Sequence, residues 1–246
     1  MEVSMLELTQ QLYNLFEKFQ TVSSEYTDYK DILFDDINTE LAEDSFKTLR
    51  LLNNGRKIWS ITRFKLFIKG LNLNSNEESI QKLINYVDNK DKAEFIISTF
   101  EKILLSNSKL ACCVMGIMLN DICNTNKNIS QENLVILQAL SMMNDFDIKN
   151  FTHLMSISPW GKNQKSKTIK ISDIQGCVNK YNDTAQGIEL TINLLEKYGL
   201  IKSNGEIDLN MDSDDVDLSS AEYDKYYEFN TLSQTLYEYT NKVVTI

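Results

Sequence analysis

Through the first 157 positions, apolar residues recur three and four apart, the spacing of one buried helix face. "MLELTQQLYNLFEKFQ" places Leu8, Leu12, Leu15, Phe16 and Phe19 on such a face. A second stripe, Ile32, Leu33, Ile37, Leu41 and Phe46, predicts a helix from about Tyr26 to Leu52, stopped by "NNG" at Asn53 to Gly55. "RKIWSITRFKLFIKGL" repeats the pattern at Trp59, Ile61, Phe64, Phe67, Ile68 and Leu71. Ser75 followed by Glu78 reads as a capping box for a helix through Val87, and a restart near Asp91 runs to about Leu105. "LACCVMGIML" is apolar all round, which places it at the centre of a bundle. Ser130 and Asn144 are suitable N-caps for two further helices, "QENLVILQALSMM" and "NDFDIKNFTHLMSI".

The pattern then breaks. "SPWGKNQKSKTIK", residues 158–170, holds the sole proline and four lysines, so it is expected to be a linker between domains 1–157 and 171–246. A helix is predicted from about Ser172, then another over "AQGIELTINLLEKYGLI" with Ile188, Thr191, Ile192, Leu195 and Tyr198 on one face. Gly199 suits the left-handed position that ends a helix. "LIKSNGEIDL" predicts strand, Asn-Gly turn, strand. A strand over Tyr226 to Phe229 and a helix carrying Leu232, Leu236 and Tyr239 close the chain.

"LLEKYGLI", a wing and "YEFNTLSQTLYEY" resemble the "L-x-x-L-x-x-x-G-L-I … Y-x-L-T-x-x-G-x-x-L" run of the winged-helix superfamily. The resemblance covers the last third of the chain. Phe229 and Asn230 replace the usual Leu and Thr, and Gln234 or Thr235 replaces the later Gly. The expected fold is mainly α: an N-terminal multi-helix bundle with a small C-terminal α+β winged-helix-like domain. The layout is similar to bacterial and phage accessory proteins of unassigned function, some tied to conflict between phage and host. In the superfamily's DNA-binding members, the helix before the Gly-Leu-Ile turn enters the major groove.

Charge and composition narrow the functions. One proline and eight glycines among 246 residues disfavour an all-β chain. A net charge of −10 repels phosphate backbones unless basic residues segregate. Cys112, Cys113, Cys123 and Cys177 show no CxxC spacing and are expected to be reduced thiols. "MEVSMLELTQQ" lacks the features of a signal peptide, and the longest apolar stretch is about half a membrane span. The expectation is a cytoplasmic protein without a membrane partner.

Two charged stretches stand out. The wing carries Asp208, Asp212, Asp214, Asp215, Asp217, Glu222, Asp224 and Glu228 against Lys225 alone. Its alternating carboxylates resemble a calcium loop, but the central Gly is missing and Glu222 falls one residue late if Asn210 is position one. It reads as a solvated acidic loop available to a protein partner, with no metal expected. The basic run spans Lys47, Arg50, Arg56, Lys57, Arg63, Lys65 and Lys69 with no acid between them, a candidate contact for an anionic partner. Pairing with the acidic first fifty residues is the competing reading.

His153 is the sole histidine and has no ligand-type neighbour at motif spacing. G-x-S-x-G, P-loop and G-x-G-x-x-G motifs are absent, so neither a catalytic residue nor a cofactor is assigned. Two readings follow. One is a non-enzymatic protein that binds and regulates or inhibits a protein partner. The other is a DNA-binding regulator using the basic run, or the lysines of 162–170, with the winged helix. A homodimer is compatible with both.

Overall fold

The computed structural model describes residues 14–15, 17–22, 62–71, 79–126, 128–157, 166–181, 184–208 and 222–244. The chain is mainly helical with one small antiparallel sheet near the C-terminus. It forms two compact units that divide between Ser141 and Met142. The expected helix over Tyr26 to Leu52, the "NNG" stop and the Ser75–Glu78 capping box lie outside the described residues.

Among the described residues of the first unit the helices are α1 (14–15 and 17–22), α2 (62–71), α3 (Ser79–Tyr86), α4 (Lys90–Leu105), α5 (Lys109–Thr125) and α6 (Gln131–Met142). The all-apolar α5 is the core element: every residue from Ala111 to Asn120 is buried. Its start is fixed by Ser108, whose side chain accepts from the Ala111 amide at 2.8 Å. Its end is fixed by Asn126, which takes the left-handed conformation at φ 43°.

α2 crosses α5 at backbone contact. A Cβ added at Gly70 would lie 2.0 Å from the Cys113 carbonyl oxygen, and one at Gly116 would lie 2.1 Å from that of Phe67. Beside this crossing, Phe64, Phe67 and Phe100 form a ring cluster with centroids 5.5 to 5.6 Å apart. Lys82 donates to Asn120 and Asn124 near the end of α5, where the helix carbonyls carry partial negative charge.

The second unit runs α7 (Asp145–Ser156), β1 (Lys167–Lys170), α8 (Ile171–Tyr181), α9 (Ala185–Lys197), β2 (Ile201–Asp208), β3 (Glu222–Phe229) and α10 (Thr231–Val244). The sheet order is β1-β3-β2, all antiparallel, with β1 residues 167–170 opposite 229–226 and β2 residues 201–208 opposite 229–222. Ile169, Ile201, Tyr227 and Phe229 turn inward from the sheet, while α7 contributes Ile148, Phe151 and Leu154 to the buried set. Cys177, Ile188, Ile192, Leu195 and Leu236 complete this core.

Three sequence expectations change here. First, α7 packs against α9 and α10, so it belongs to the second unit; the boundary is not at Ser158. Second, 158–170 is not all linker, because its last four residues form β1. Lys167 faces inward there, and its long stem carries Nζ to the Met155 carbonyl at 2.7 Å, near the end of α7. Third, Asn204-Gly205 is no turn. β2 continues through both residues, because its partner is β3 across the whole length and the connection is the later segment 209–221.

Gly116→Ala or Gly70→Ala should destabilise the first unit by about 3 kcal/mol, since backbone must move to admit the methyl group. Gly176→Ala, in α8 with nothing within 4 Å of the added carbon, should stabilise by about 0.5–1 kcal/mol. Urea denaturation of the three variants checks the contrast; equal effects would contradict the crossing.

Burial pushes the Lys167 ammonium down from its ordinary 10.5 to about 8, against the opposing pull of Asp173. From about pH 8 to 10.5 the unfolded chain therefore holds a proton that the folded chain has released, and stability rises with pH. Measured against Lys167→Met, which removes this titration, the wild-type protein should gain about 1–3 kcal/mol across that window. A pH-independent difference would show that Lys167 is not buried as its ammonium form.

Candidate interaction face

α9 is held rigidly from both ends. Thr184 caps its start, accepting from the Gly187 amide at 3.1 Å. At its end the Leu200 amide reaches the Leu195 carbonyl at 3.0 Å and the Gly199 amide reaches Glu196 at 2.9 Å. Gly199 stands at φ +68°, so this is the Schellman arrangement expected from "EKYGLI".

Ile188, Thr191, Ile192 and Leu195 face inward, as the sequence pattern requires. Thr191 is the polar member of that face. Its hydroxyl donates to Asp147 Oδ1 at 2.9 Å and accepts from Asn150 Nδ2 at 3.1 Å. The Gly187 carbonyl is also within 3.0 Å of it. Asp147 Oδ2 in turn accepts from the Asn144 amide at 2.9 Å, closing the capping box of α7. These bonds join α7 to α9 through buried side chains.

The opposite face of α9 is exposed and carries Gln186, Glu189, Leu190, Asn193, Glu196 and Lys197. Leu190 is 62% exposed, a large apolar side chain in the middle of a polar stripe. Glu196 accepts from the amide of Ser203 at 3.1 Å and from the Ser203 hydroxyl, which fixes a carboxylate where the helix meets β2.

The base of the β2–β3 hairpin is gripped from the other side by the start of α10. Asn230 Nδ2 donates to the Gly199 carbonyl at 2.7 Å, and Asn230 Oδ1 accepts from the Ser233 amide at 3.1 Å. Ser233 Oγ also donates to the Leu200 carbonyl. Asn230 thus caps the start of α10.

The expected site residues are only partly described. Asp208 and Glu222 end the paired part of the wing, opposite each other across β2 and β3. Asp212, Asp214, Asp215 and Asp217 lie outside the described residues, as do Arg50, Arg56 and Lys57. Lys65 and Lys69 are exposed on α2. Arg63, expected beside them as a surface contact, is buried at 7% exposure, and its Nη1 donates to the Leu104 carbonyl near the end of α4. Its guanidinium is engaged at a helix C-terminus. Lys167 is likewise removed from the lysines proposed to face phosphate.

His153 stacks on Tyr181 with ring centroids 3.9 Å apart, a packing role. None of the four cysteines is in a disulfide. Burial pushes the Cys113 thiol up and the Cys123 thiol up to about 12, so neither is a ready nucleophile. Among the described residues, no group of three or more His, Cys, Asp or Glu is placed to hold a metal ion, and no helix is long and apolar enough to cross a membrane. Sequence reasoning found the inward face of α9 but missed what holds it. The signal was present as polar Asp147, Asn150 and Thr191 at positions where the helical period demands buried residues.

Thr191→Val keeps the shape but leaves the Asp147 carboxylate and the Asn150 amide each short of a buried partner. It should cost about 2 kcal/mol in denaturant unfolding. Asp147→Ala should cost more, because the capping box is lost as well. A neutral Thr191→Val would show that water replaces the hydroxyl.

No protein-family model, curated protein or solved structure matches the chain.

Proposed function

We propose that this is a non-catalytic cytoplasmic protein that binds a protein partner through its second unit and regulates or inhibits that partner. The order helix, strand, two helices, two strands, helix, with sheet order β1-β3-β2, supports the winged-helix reading. In that reading α9 occupies the place of the groove-entering helix.

The observation that carries the proposal is the outward face of α9. Glu189 and Glu196 are exposed there against Lys197, and Glu196 is anchored to Ser203, so it cannot swing aside to admit a phosphate. Carboxylates on this face, one of them held by Ser203, oppose the counterion release that drives nucleic-acid binding. Leu190, by contrast, is suited to a protein socket: an apolar side chain on a rigid helix, ringed by Gln186, Glu189 and Asn193. The acid-rich stretch from Glu206 to Glu228 extends the same sign of charge along the wing.

The test is capture of partners by the tagged full chain from lysate of its native host, with and without nuclease. It is paired with a titration of a random-sequence DNA duplex followed by fluorescence anisotropy. One protein captured in near-equal amount under both conditions is expected, with little affinity for the duplex. Leu190→Ser should weaken that capture about tenfold. Replacing Asp212, Asp214, Asp215 and Asp217 together by Asn should flatten its salt dependence. Capture that vanishes with nuclease, together with tight duplex binding, would overturn the proposal in favour of a DNA-binding regulator.

A further inference from the structure

We draw no further inference here: the strongest candidate, the side-chain cluster of His153, Ser156, Lys180 and Tyr181 where the end of α7 meets the end of α8, is accounted for by the ring stacking and the 2.7 Å Ser156–Tyr181 hydrogen bond that join those helices, and no second observation points to a ligand there.

Discussion

Asp147 is the residue on which the second unit turns. One carboxylate oxygen closes the first turn of α7 and the other takes the hydroxyl proton of Thr191 on α9. The bond to Thr191 is charge-assisted and buried, which makes it stronger than its solvated counterpart and costly to lose. The pairing sets how far along α7 the helix α9 may sit. Ile188, Ile192 and Leu195 then fall into the apolar interior, and the stripe from Gln186 to Lys197 turns to solvent. The exposed face is therefore positioned from behind, by buried groups.

The first unit answers a different constraint. Its central helix α5 is buried all round, so neighbouring helices must approach without large side chains intervening. Gly70 and Gly116 provide that at one crossing, and the phenylalanine cluster fills the space beside it. Polar groups concentrate at helix ends instead. Arg63 reaches the end of α4, and Lys82 bonds Asn120 and Asn124 towards the end of α5. Arg63 reads as a surface cation in the sequence because charge type alone does not reveal which cation caps a helix.

Much of the fold was legible in residue spacing and capping chemistry. α6 and α7 start where Ser130 and Asn144 supply side-chain oxygens, and α9 stops where Gly199 permits the left-handed turn, as their residue types lead one to expect; the caps Asn89 and Ser108 of α4 and α5 emerge only in the structure. What stayed hidden depended on long-range partners. β1 is four residues long, Thr168 and Ile169 flanked by two lysines, too brief a signal until β3 is beside it. Asn204-Gly205 has strong local turn chemistry, yet cross-strand pairing with Tyr226 and Lys225 overrode it. α7 has the same apolar period as its predecessors, so only its buried Asp147 and Asn150 assign it to the later unit. The exposed face of α9 could be listed from the sequence, but the anchoring of Glu196 by Ser203 could not, because it joins a helix to a strand across a turn.

The two halves of the wing differ in mechanical support. Residues 226–229 of β3 lie between β1 and β2, while residues 222–225 pair with β2 alone. The inner half is thus a three-stranded sheet whose base is clamped by Asn230 and Ser233. The outer half is a two-stranded ribbon, an arrangement only marginally stable by itself. A twist applied at the Asp208–Glu222 end of the ribbon meets two strands, whereas at the Ile201–Phe229 end it meets three, so the ribbon yields first. In mechanical terms the domain is a stiff mount carrying a compliant arm.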